Sequence, residues 1–170
     1  QLRPEDATAD SEYACILRYG QFDMADSHRI RIEQSGIPHD LDIHDYSAII
    51  VGGSPFDIST PLPDKSGIQL RIEEDFEHLL TQVIAEDFPF LGACSGNGLL
   101  GNHLGAPVTR RYGEAVGSVT LDVTEDGKQD KLLEGLPERF DVLLGHKEAV
   151  DDTPEGATLL MTGDACPVQM

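Results

Sequence analysis

The chain has 170 residues, enough for one compact domain with its own core, and we expect a single domain over residues 1–170. Twelve Lys and Arg against 31 Asp and Glu leave a formal charge of -19, which repels phosphate backbones and anionic lipid, so neither nucleic acid nor membrane is an expected partner. No apolar run approaches the roughly 20 residues that span a bilayer, and Gln1-Leu2-Arg3-Pro4 lacks a signal-peptide core, so the expected compartment is the cytoplasm.

Taken in chain order, Tyr13-Ala14-Cys15-Ile16-Leu17 reads as a short helix with a buried, inert thiol. His28-Arg29-Ile30-Arg31-Ile32-Glu33 alternates with period two, and Tyr46 to Val51 is an apolar run closed by Gly52-Gly53; both are expected strands. From Gly67 to Glu86, Ile72, Phe76, Leu79, Leu80 and Val83 recur at helical spacing. Ser66 with Gln69 three residues on predicts a capping box at the start of that helix. Phe88 to Gly92 is a further short strand, followed by a glycine-rich turn into a helix that Gly105 should stop. Beyond it, Val119, Leu121 and Val123 alternate with polar residues, and Phe140–Leu144, Ala157–Met161 and Val168–Met170 are strand candidates. Strand and helix alternating in the first half predicts an α/β fold with a mainly parallel central sheet, catalytic groups lying at the carboxyl ends of its strands. Gln1-Leu2-Arg3 reads as the tail of a strand and Cys166 to Met170 as an interrupted one, so a first strand and a C-terminal segment are expected beyond these residues.

The chemistry concentrates at Gly92-Ala93-Cys94-Ser95-Gly96, a nucleophile-elbow pattern with cysteine in the serine position, set between a predicted strand and a predicted helix. Glycines two residues to either side let the backbone turn sharply, so that the Cys94 side chain projects above the sheet edge. The helix that follows directs unpaired N–H groups and a positive dipole end at the sulfur, the setting in which a cysteine is nucleophilic. Acyl transfer also needs donors for a developing oxyanion, and the backbone N–H groups of Ser95 and of Gly53, in Gly52-Gly53-Ser54-Pro55, are the candidates.

Strand, Gly-Gly loop, helix, strand, Gly-x-Cys-x-Gly and helix together resemble the class I glutamine amidotransferases, in the branch of stand-alone proteins related to the GMP synthase amidotransferase domain. Gly113-Glu114-Ala115-Val116-Gly117 and Leu144-Gly145-His146-Lys147-Glu148-Ala149-Val150 extend the likeness over most of the chain. The resemblance implies a flavodoxin-like three-layer α/β/α fold and a cysteine that attacks the side-chain amide of glutamine, or another γ-glutamyl bond, to give a thioester and ammonia. It implies no cofactor, and a synthase partner as the receiver of ammonia. The family's general base is a histidine followed two residues later by glutamate, on a strand near the C-terminus, and no such segment follows Val150. His146-Lys147-Glu148 has that spacing, but its surroundings match the family's upstream histidine segment, so His146, with Ser54, is expected to line the substrate. Ser95 and Gly98 stand where the family usually has a bulky residue and a glutamine. Two other readings keep the same scaffold: a non-catalytic module that binds a small metabolite, and a thiol protein whose elbow cysteine is oxidised reversibly.

The remaining histidines and cysteines suggest no site. His28, His39, His44 and His78 show no metal-ligand spacing, His103 falls on an apolar stripe, and Cys15, Cys94 and Cys166 contain no CxxC pair; no metal is expected.

Overall fold

The computed structural model describes every residue from Gln1 to Met170. They group into two compact units: Gln1–Phe56 with Thr60–Leu99, and Asp57–Ser59 with Leu100–Met170.

The first unit contains helices α1 (Asp6–Gly20), α2 (Ile32–Ser35) and α3 (Gly67–Ala85) and strands β1 (Ile49–Val51) and β2 (Phe90–Gly92). Helix α3 begins at the expected cap, with the Ser66 hydroxyl accepting the Gln69 N–H at 3.2 Å. It buries Ile72, Phe76, Leu79, Leu80 and Val83 along one face. At roughly 1.5–3 kcal/mol per buried side chain, that face contributes on the order of 10 kcal/mol of gross apolar burial. Strands β1 and β2 pair in parallel, with Ile49 opposite Phe90 and Val51 opposite Gly92. Both strands therefore end at one sheet edge, Gly52-Gly53 running on from one and Ala93-Cys94 from the other. Helix α4 (Ser95–His103) leaves that edge, and the division between the units falls within it, after Leu99.

The second unit is strand-rich. Strand β4 (Glu114–Val123) pairs antiparallel with β5 (Arg139–His146) on one side and with β7 (Met161–Gly163) on the other, and the short β3 (Val108–Thr109) pairs antiparallel with β6 (Ala149–Val150). Leu121, Leu133 and Met161 form its buried centre, packed by Val119, Val123, Phe140, Val142 and Leu160. Exposed and half-buried residues alternate along β5, the signature of an antiparallel strand with one solvated face.

The fold is α/β, yet it differs from the expected layout in four respects. The only parallel pairing is that of β1 with β2; the long ladders are antiparallel, because β4 and β5 expose one face and need no crossover helix. The period-two segment His28–Glu33 is not a strand: its end is taken up by α2, and its regular bonding is limited to an exchange in which the Gln1 amino group donates to the Ile30 carbonyl and the Ile32 N–H to the Gln1 carbonyl. The last predicted strands also shift. A turn closed by the Ala157 N–H on the Pro154 carbonyl delays β7 to Met161, and Val168–Met170 is not a strand, although Gln169 and Met170 exchange backbone bonds with Leu160 and Met161. Finally, Cys15 is exposed on α1 and not buried, since the buried position of that helix is Ala9.

Candidate active site

Cys94 follows β2 by two residues and precedes α4, and its backbone has φ +56°. An L-residue pays a steric cost in this left-handed region, roughly 1–2 kcal/mol, and such strain concentrates where a side chain must be presented in a fixed direction. The side chain is exposed. Its two flanking glycines are required by packing: a Cβ on Gly92 would lie 2.5 Å from the Gly96 carbonyl carbon, and one on Gly96 would lie 2.6 Å from the Val51 carbonyl oxygen. The turn is tied to the neighbouring strand by the Ala93 N–H on the Val51 carbonyl at 2.8 Å, and it closes with the Gly96 N–H on the Ala93 carbonyl at 3.1 Å. The strand, the sharp turn and the helix are those the sequence pattern predicts.

Gly53 and Ser54 share the sheet edge with the elbow, and the Ser95 hydroxyl reaches the Ser54 carbonyl at 3.5 Å. The Ser95 N–H lies in the first turn of α4, where helical amides have no partner within the helix. The Gly53 N–H is not a free donor. It is given to the carboxylate of Glu12 at 3.2 Å, and the Arg3 guanidinium meets the same oxygen at 3.0 Å. A Cβ on Gly53 would collide with the Arg3 guanidinium, so glycine is what lets this ion pair sit against the loop. Arg3 and Glu12 belong to no sequence motif; only the folding of α1 onto the Gly-Gly loop brings them there.

In the second unit, His146 stands directly across from Glu114 in the β4–β5 register, so the two segments that extend the resemblance are partners. Imidazole Nε2 lies 3.1 Å from the Glu114 carboxylate, and Nδ1 lies 3.0 Å from the backbone carbonyl of Glu148. The Glu148 side chain is turned elsewhere, accepting the Ile58 N–H at 2.6 Å and the Ser59 N–H at 2.9 Å. His146 and Glu148 are therefore not a hydrogen-bonded His-carboxylate dyad. Gln169 donates to Glu114 at 2.6 Å, and Cys166 is buried close by. Burial pushes the Cys166 thiol up from its ordinary range, and the negative charges of Glu114 and Asp151 act in the same direction.

A family model described as glutamine amidotransferase class-I matches residues 18–169. The chain belongs to that family. Among curated relatives, a protein from Sulfurisphaera tokodaii named as one subunit of glutamine-hydrolyzing GMP synthase is 28% identical over 127 residues, covering 75% of this chain and 60% of the relative. The glutamine-hydrolyzing GMP synthase from Lactobacillus johnsonii is 27% identical over 168 residues, covering 94% of this chain and 30% of the relative. The chain thus spans less than two thirds of either relative. Among solved structures, a glutamine amidotransferase from Thermotoga maritima superposes with a TM-score of 0.70 at 22% identity, covering 92% of this chain and 63% of that one. One from Methylobacillus flagellatus gives 0.71 at 19%, covering 92% and 57%. These two likenesses concern the fold. No helix of this amidotransferase-family chain is long and apolar enough to cross a membrane.

Proposed function

We propose that the chain is the nucleophile-bearing part of a glutaminase, in which Cys94 attacks the side-chain amide of glutamine or a related γ-glutamyl bond. The single observation that carries this reading is the exposed Cys94 at φ +56°, between a strand and a helix, in a turn that tolerates only glycine at its two flanks. In the proposed reaction the sulfur adds to the amide carbon, and the carbonyl oxygen takes on negative charge opposite the Ser95 N–H. The C–N bond then breaks, the nitrogen leaves as ammonia after accepting a proton, and water releases glutamate from the thioester. Gly53 can serve as a second donor only when its N–H is released by Glu12. Ser54, beside the elbow, is the proposed substrate-lining residue of the first unit, and the flavodoxin-like layering of the family is the proposed setting. The ring of His146 is already held by Glu114 and the Glu148 carbonyl, which argues against it as the proton carrier. By analogy with the relatives named GMP synthase, we assign the ammonia to a synthase partner.

The test is covalent. A glutamine analogue with a chloroketone in place of the amide should add one equivalent to the chain, mapped to Cys94 by peptide mass spectrometry and blocked by excess glutamine. Exposed Cys15 is the internal control for indiscriminate alkylation. Equal labelling of Cys15 and Cys94, or labelling that glutamine does not slow, would reject the proposal.

A further inference from the structure

Three segments distant in sequence bring a carboxylate, an imidazole and a thiol together inside the second unit. The ligand-capable atoms of Glu114, His146 and Cys166 all lie within 4.8 Å of one another. Little of them is accessible: side-chain exposure is 8% for Glu114 and 16% for His146, and Cys166 is 1% exposed. Each is also oriented by another group. Gln169 donates to the Glu114 carboxylate, the Glu148 carbonyl faces His146 Nδ1, and the Cys166 thiol points at the Val168 carbonyl at 3.5 Å.

The hydrogen-bond count at His146 is what makes this more than a polar contact. Both ring nitrogens face acceptors: a carbonyl oxygen at Nδ1 and a carboxylate oxygen at Nε2. A neutral imidazole has one N–H, so either tautomer leaves a lone pair directed at an oxygen. If Nδ1 carries the proton toward the carbonyl, as metal-bound histidines commonly arrange it, Nε2 and the Glu114 oxygen present two electron pairs to the same small space. A cation there satisfies both.

We propose that Glu114, His146 and Cys166 form a binding site for a soft divalent metal ion of the zinc type. The donor set fits that chemistry: thiolate and imidazole select zinc over magnesium or calcium, which require oxygen ligands. One carboxylate and one thiolate neutralise the two charges of the ion. Ligand bonds of about 2.0–2.3 Å place neighbouring tetrahedral ligands roughly 3.3–3.8 Å apart; the imidazole and carboxylate, at 3.1 Å, already stand near that spacing, and rotamer adjustment brings the three within reach of one ion. Three protein ligands leave the fourth tetrahedral position to water or an exogenous donor. Metal binding at these three residues does not depend on Cys94.

Cobalt(II), which takes zinc sites and reports thiolate ligation by a charge-transfer absorption, is the probe. The full chain, stripped of metal by a chelator, should bind one equivalent of Co²⁺ with that band and surrender it to Zn²⁺. Cys166→Ser should abolish the band, Cys94→Ser should retain it, and Gln169→Ala should weaken zinc binding by about tenfold through loss of the hydrogen bond on Glu114. If Cys166→Ser does not fold, Glu114→Gln carries the test, with an expected loss of at least tenfold in affinity. A parent chain without the cobalt band, or a Glu114→Gln chain that binds as the parent does, overturns the proposal in favour of an imidazolium paired with Glu114.

Discussion

Gly92 and Gly96 are in backbone contact across the turn that carries Cys94: a Cβ on Gly92 would reach 2.5 Å from the Gly96 carbonyl carbon and 2.7 Å from the Asn97 nitrogen. Because the obstacle is main chain and not a flexible side chain, it cannot move aside without opening the turn. Gly92→Ala and Gly96→Ala are each expected to destabilise the chain by about 1–3 kcal/mol, the usual range for overpacking. Urea denaturation of the two variants measures it. Both should also lower the rate at which the chloroketone labels Cys94, even where the fold survives.

The positive φ of Cys94 leads to a second expectation, of opposite sign. Glycine at position 94 removes a steric cost of roughly 1–2 kcal/mol and adds back part of it as unfolded-chain entropy. The exposed thiol contributes little packing to lose. Cys94→Gly should therefore raise stability by about 0.5–1 kcal/mol while abolishing labelling, whereas Cys94→Ala should abolish labelling with no such gain. A Cys94→Gly chain less stable than Cys94→Ala would show that the left-handed backbone at this position stores no strain.

Glu12 accepts from the Gly53 N–H and from Arg3, with side-chain exposures of 17% for Glu12 and 29% for Arg3. Glu12→Ala is expected to cost about 2 kcal/mol, since it frees a partly buried amide and leaves a guanidinium without its partner. A double-mutant cycle with Arg3→Met should return a coupling of about 1 kcal/mol. Additive effects of the two substitutions would mean that Arg3 and Glu12 hold the loop separately.

Glu148 separates a clamp from a catalytic carboxylate. Its two oxygens take the Ile58 and Ser59 amides, so Glu148→Ala should destabilise by about 2 kcal/mol and Glu148→Gln, which keeps one acceptor, by about half as much. Neither substitution should change the rate of Cys94 labelling by more than about twofold, since the side chain is engaged by the 58–59 amides; a larger change would make Glu148 a partner in the chemistry.

How much of this was legible in the sequence depends on how local the cause is. The elbow could be read because its determinants lie within five residues: glycine at 92 and 96 for close backbone approach, cysteine between them, apolar strand before and helix after. Helix α3 was legible for the same reason, its apolar stripe and Ser66 cap being properties of one continuous segment. Period two over the six residues of His28–Glu33 does not by itself secure a strand, because a strand also needs a partner to pair with, and here a single turn of helix buries Ile32 and Glu33 instead. Strand and helix order in the first half points to a parallel sheet but says nothing about how the later strands pair, and those are antiparallel.

The sequence by itself determined the candidate nucleophile, Cys94, and the turn that presents it, because backbone sterics at glycine and the strand-to-helix transition act over a few bonds. Only the tertiary structure decided that Glu12 takes the Gly53 amide, that Glu148 caps residues 58 and 59, and that Glu114, His146 and Cys166 converge. Hydrogen bonds and ligand geometry depend on separations of a few ångströms in space, and the spacings of 32 and 20 residues between those last three carry no trace of it until β4, β5 and the C-terminal stretch have folded together.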